Sequence, residues 1–170
     1  FTVERPVYRY WNNDSGEKQE LRIRRIWNIL EDSKQRIWMS SYNDGLHMME
    51  VVSESDEKPL LREATVRFRQ FEAAPGREGA LPHNLVRPIA EDPDGRIWLG
   101  TSGGLVRVID KPENNFGFET FQHDPLNVQS LSHNDVWALE FDDMGCLWVG
   151  TWSGGISKLT QDAQKCAHFK

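Results

Sequence analysis

Long hydrophobic runs are missing from this 170-residue sequence; no stretch of consecutive apolar side chains is longer than that of Val136-Trp137-Ala138-Leu139. A helix that crosses a bilayer needs about 20 such residues, so no segment reads as a membrane span. Cysteine is scarce: Cys146 and Cys166 are the only two, too few for a disulfide scaffold or a four-ligand zinc site. Basic residues are in the minority, with 20 Lys and Arg against 26 Asp and Glu and a formal charge of −6. That balance disfavours nucleic acid as a main partner. There is no phosphate-binding Walker loop, no Rossmann glycine fingerprint and no Ser-His-Asp order. Residue 1 is Phe, and no charged stretch followed by an apolar one marks a leader, so the expectation is a processed or excised piece of a longer chain. What remains is a globular composition, 38% hydrophobic with 13 glycines, long enough for one domain (1–170) with a sizeable core.

The chain repeats itself. Residues 71–101 laid over 121–151, an offset of 50 positions, give 11 identities in 31. Among them are Leu81/Leu131, His83/His133, Asn84/Asn134, Asp92/Asp142, Gly95/Gly145, Trp98/Trp148 and Thr101/Thr151. A third copy lies 110 positions before the last, where Leu21, Trp27, Asp32 and Trp38 match Leu131, Trp137, Asp142 and Trp148. Gln35 stands there in the place of Gly95 and Gly145, and the longer first interval falls around residues 53–58, a charged, loop-like stretch. The copies occupy approximately 11–50, 71–110 and 121–160.

Within the last copy, 136–141 is short, apolar and β-branched or aromatic, which reads as a strand. Asp142-Asp143-Met144-Gly145 reads as a tight turn closed by glycine. A second strand follows over 146–152, a third over 156–159, and 118–122 reads as the last strand of the preceding copy. Residues 127–134 read as a linking loop. Four strands per roughly 50 residues, repeated, is the pattern of a β-propeller blade. No 3.6-residue period supports a helical solenoid.

Residues 136–156 carry Val-x-x-Leu-x-x-Asp-x-x-Gly-x-Leu-Trp-Val-Gly-Thr-x-x-Gly-Gly-Ile, led in by Ser130-Leu131-Ser132-His133-Asn134. This resembles the two-component regulator propeller repeat. The copy with Ile89, Asp92, Gly95, Trp98, Thr101, Gly103 and Gly104 resembles it nearly as well, and the first copy departs at Gln35, Met39, Ser40 and Ser41. The resemblance implies an all-β fold: a partial propeller of about three four-stranded antiparallel blades from a probable seven-bladed ring. It further implies a non-catalytic, periplasmic ligand-sensing segment of a protein that signals to a cytoplasmic histidine kinase. An oligosaccharide or other small extracellular ligand would be its partner, with the membrane reached only through the parent protein and no cofactor. Seven units of this size need about 350 residues, so remaining blades or self-association are expected to cover the end faces. Two rivals stay open: a streptogramin-lyase-like propeller enzyme, and a plain protein-interaction scaffold.

Trp38, Trp98 and Trp148 recur at one position, which favours packing between blades over a carbohydrate platform. Asp32, Asp92 and Asp142 precede the turn, and Thr101 and Thr151 recur with the last two; a brace for the hairpin is favoured. Asp92-Pro93-Asp94-Gly95 has the opening of a calcium loop, but no glutamate follows at the needed distance, so no metal is expected. His83, Asn84, His133 and Asn134 fall in the loops entering each blade, with loop shaping favoured for the histidines over acid–base chemistry. Trp27 and Trp137 share a position held by Arg87, and Trp152 aligns with Tyr42 and Ser102. Such variation at a fixed place marks a candidate ligand rim of His83, Asn84, Arg87, Ser102, His133, Trp137 and Trp152. The Arg22, Arg24 and Arg25 cluster and the Arg67-Phe68-Arg69 alternation read as solvated basic faces.

Overall fold

The computed structural model describes residues 10–11, 18–19, 23, 25–52, 65–112, 115–159 and 166–169. Leu21, Arg22, Arg24 and the 53–58 insertion lie outside them. All helix and strand structure in these residues is strand: β1 (Tyr10–Trp11), β2 (Lys18–Gln19), β3 (Ile26–Glu31), β4 (Arg36–Ser41), β5 (Leu46–Val52), β6 (Thr65–Phe71), β7 (Val86–Glu91), β8 (Ile97–Thr101), β9 (Gly104–Lys111), β10 (Asn115–Phe121), β11 (Val136–Phe141), β12 (Leu147–Thr151), β13 (Gly155–Leu159) and β14 (Cys166–Phe169).

They form three up-and-down antiparallel sheets, β3 to β6, β7 to β10 and β11 to β14. β1 extends the first sheet by pairing parallel to β6, and β2 pairs with β1. The strand expected over 118–122 starts earlier, at Asn115, because β10 pairs with β9 from Lys111 onward and takes Gly117 opposite Ile109. Local composition there reads as a turn; the ladder overrides it.

Each sheet is closed by the same hairpin anchor. Asp32 Oδ1 accepts from the Lys34 and Arg36 amides at 3.0 and 2.8 Å, and its Oδ2 accepts from Arg36 Nε at 2.6 Å and Trp38 Nε1 at 2.7 Å. Asp92 repeats this with the Asp94 and Arg96 amides, Arg96 Nε and Trp98 Nε1. Asp142 does so with the Met144 and Cys146 amides and Trp148 Nε1. Cys146 stands where Arg36 and Arg96 stand, and Lys158 from the neighbouring strand supplies the missing cation, 3.0 Å from Asp142 Oδ2. Burial pushes the Asp92 carboxyl up, but the bonds from Trp98 and Arg96 outweigh this and hold it below its usual value. Trp148, Cys146 and Lys158 hold Asp142 well below its own. Thr101 and Thr151 serve the other turn, donating to the Gly104 and Gly155 carbonyls, as Ser41 donates to Gly45.

The glycine position of the first turn has φ 76° at Gly95 and 74° at Gly145, and Gln35 takes the same left-handed conformation at 61°. The turn therefore survives its substitution, at about 1 kcal/mol of backbone strain.

The seams between sheets are apolar. Trp38, Leu46 and Met48 of the first sheet pack on Val86, Ile89, Ile97, Leu99 and Val106 of the second. Trp98 and Leu105 pack on Val136, Leu147, Val149 and Leu159 of the third. Each such side chain contributes about 1.5–3 kcal/mol on burial. The exposed seam ion pair of Lys34 with Asp110 is worth at most about 1 kcal/mol, and the half-buried Arg36 shares the same carboxylate. Apolar packing therefore sets the stacking, and the first strands come together with β7 between β3 and β11.

Candidate functional site

The first strand of every sheet carries a β-bulge at one place. The register slips between Ile26 and Asn28, between Val86 and Ile89, and between Val136 and Ala138. A bulge leaves one residue unpaired and re-aims its side chain. Those residues are Trp27, Arg87 with Pro88, and Trp137. The next turn in each sheet begins with Tyr42, Ser102 or Trp152, and its amide is tied to the residue just before the first strand: Tyr42 to the Arg25 carbonyl, Ser102 to Leu85, and Trp152 to Asp135. Backbone geometry thus brings two side chains per sheet to one end of the stack.

Four of these six are exposed aromatics: Tyr42 (45%), Trp27 (48%), Trp137 (40%) and Trp152 (59%). They form a continuous arc. Trp27 stacks on Tyr42 with ring centroids 6.2 Å apart and meets Trp137 edge-on at 6.3 Å. Trp137 lies against Trp152 at 4.9 Å. The other two members form a polar node beneath it. Arg87, only 5% exposed, donates from Nη1 to Asp135 Oδ1 at 2.6 Å and places its guanidinium 4.2 Å from the centre of the Trp137 ring. Ser102 Oγ donates to the same oxygen at 2.7 Å, and Trp137 Nε1 donates to Oδ2 at 3.0 Å. Burial pushes the Asp135 carboxyl up, and the bonds from Ser102, Trp137 and Arg87 outweigh it and hold it below the ordinary carboxylate value. A charged donor to an ionised acceptor makes the strongest class of hydrogen bond; the node fixes the orientation of Trp137.

Of the residues singled out in the sequence, Arg87, Ser102, Trp137 and Trp152 come together here. His83 and His133 shape their own loops: each Nδ1 accepts from the amide two residues on, Leu85 at 3.0 Å and Asp135 at 3.1 Å. Asn84 and Asn134 brace the loops from within, their Oδ1 atoms accepting from the Ala73 and His123 amides at 2.7 and 2.6 Å. Asp135, Tyr42 and Trp27 are the additions, Trp27 having been aligned with Trp137 without being placed on the rim. Tyr42 had a signal in the repeat alignment, opposite Trp152. Asp135 had none, since its counterparts are Leu85 and Arg25. Among the described residues no group of three His, Cys, Asp or Glu side chains is placed to hold a metal ion, and both carboxylates of the Asp92–Asp94 turn face Arg96.

With this geometry in place, comparison with known proteins gives a consistent class. The two-component regulator propeller family matches residues 80–103 and 130–153. Those two segments are similar to two-component regulator propeller repeats, and the fold of the chain is that of a β-propeller. No curated protein matches it. Among solved structures, the extracellular domain of a protein described as a hybrid two-component system from B. thetaiotaomicron aligns with TM-score 0.68 and 22% identity, over 86% of this chain and 18% of that one. PorZ, a bacterial surface component of the type-IX secretion system of Porphyromonas gingivalis, aligns with TM-score 0.65 and 14% identity, over 94% and 24%. Virginiamycin B lyase from Staphylococcus aureus aligns with TM-score 0.54 and 12% identity, over 86% and 41%. At these identities the likeness is one of fold, and the chain spans less than half the length of each. No helix among the described residues is long and apolar enough to cross a membrane.

Proposed function

We propose that this chain is an extracytoplasmic ligand-sensing segment of a two-component signalling protein, with no chemistry of its own, whose bound state is passed to a cytoplasmic histidine kinase. The observation that carries the reading is the exposed aromatic arc, held rigid by the Arg87–Asp135 pair across a seam between sheets. Four exposed aromatic rings in contact are costly to leave in water and suit a ligand with flat apolar faces, such as an oligosaccharide. Because the arc joins the first sheet to the third, a ligand lying along it would favour one relative placement of the sheets. That differential affinity is what a sensor transmits.

The reading is tested in cells carrying the intact protein and a reporter of its output, grown on a panel of polysaccharide hydrolysates. At least one hydrolysate should raise the output of the native protein and fail to raise that of a Trp27→Ala/Trp152→Ala variant present at equal level. Equal responses of the two proteins on every medium would sink it. A protein-docking reading draws on Leu126 and Val128, 94% and 83% exposed on the linking loop; it predicts that Leu126→Ser abolishes output where the double tryptophan variant does not.

A further inference from the structure

We infer that the arc recognises an anionic saccharide, with Arg25 as the residue that meets its charge; this rests on the ligand-sensing reading above. What the arc can still offer a ligand decides the chemistry it accepts. Both oxygens of Asp135 are engaged, Oδ1 by Arg87 and Ser102 and Oδ2 by Trp137. Arg87 is buried beneath the Trp137 ring with its charge matched by Asp135. The polar node is therefore closed, neutral overall, and turned inward. It orients the aromatic rings and leaves little for a ligand to bond.

Arg25 is different. It is exposed, and its guanidinium carbon sits 5.4 Å from the centre of the Tyr42 ring at the outer end of the arc. Its main chain is fixed there by the Tyr42 amide, 3.1 Å from the Arg25 carbonyl. Among the described residues no carboxylate pairs with it. An arginine resting on an aromatic face keeps its planar fork for a bidentate anion. Among the described residues the arc thus offers stacking surface along its length and an unspent cation, Arg25, at its end, in a chain whose formal charge is −6. A sugar chain that stacks its rings on the aromatics and carries a carboxylate or a sulfate matches both features. A neutral sugar matches only the first.

The test is calorimetric titration of the intact protein with three probes: a galacturonic acid trisaccharide, a sulfated galactan tetrasaccharide and a neutral galactose trisaccharide. The two charged probes separate a carboxylate from a sulfate as the group recognised. At least one charged probe should bind tenfold or more tighter than the neutral one, about the worth of one charge-assisted hydrogen bond at a solvated site. Arg25→Gln should remove that advantage, and Arg25→Lys should restore part of it. Equal affinity for neutral and charged probes, an unchanged preference in Arg25→Gln, or no binding of any of the three overturns the inference. The cellular reporter decides the sensing reading separately.

Discussion

Asp92 and its counterparts in the other two sheets each gather a side-chain cation, two turn amides and an indole N–H on one carboxylate. Removing the acceptor at Asp92 leaves the Trp98 indole N–H, itself 4% exposed, without a partner. Asp92→Ala should therefore cost about 2–4 kcal/mol in urea unfolding. The effect should depend on pH in one direction. The folded pKa of Asp92 is depressed, so the unfolded chain binds more protons between that value and its own of about 3.9. The stabilisation is complete above about pH 4 and fades as pH falls through the folded value. The gap between native protein and variant should close on acidification; a gap that stays constant down to pH 2 refutes the anchor. The aspartates were legible in the sequence as braces of a turn. Their indole partners were not, because that bond joins a turn to a residue six positions on, in the following strand, and needs the ladder register. Arg87, Ser102, Trp137 and Trp152 could be placed on one rim from their repeat positions, whereas Asp135, with no counterpart in the other copies, could not.

A hairpin tolerates a poor residue when the ladders on both sides fix its register. Gln35 holds φ at 61° where glycine holds 76° and 74°. Gln35→Gly should raise stability by about 0.5–1 kcal/mol, the left-handed penalty less the entropy glycine loses on folding. A neutral or destabilising result, read by chemical denaturation, would show that the Gln35 side chain contributes contacts that offset its strain. Strands flanked by glycine turns were readable in place: the expected 136–141 is β11 residue for residue. The two-residue strands β1 and β2 carried no period to detect, and β10 began before its composition announced it.

The whole molecule depends on close approach at its seams. A Cβ added at Gly100 would fall 2.5 Å from Pro88 Cγ in its own sheet and 2.6 Å from Val136 Cγ1 in the next. Gly100→Ala should cost about 1–3 kcal/mol by overpacking. Since apolar clusters bridge both seams, the loss should appear as one lowered transition, with circular dichroism and tryptophan fluorescence falling together. Separate transitions would mean that the sheets unfold as independent repeats. The repetition and the all-β character could be read from recurring motifs, Trp98 and Trp148 lying 50 positions apart. The stacking of specific faces could not, since it depends on which side of each strand the bulge turns.

The third sheet takes its cation from Lys158, on the adjoining strand, where the other two take it from the arginine four positions after the aspartate. The role is defined by a point in space and can be filled from either side of the hairpin. Substitutions along one strand can thus be absorbed by its neighbour, as Cys146 is, and a glycine can be lost, as at Gln35. Units of this kind can drift apart in spelling while remaining interchangeable in shape. The family match passes over the first copy although its Asp32–Trp38 anchor is complete. Tallies of such units taken from sequence are for that reason lower bounds.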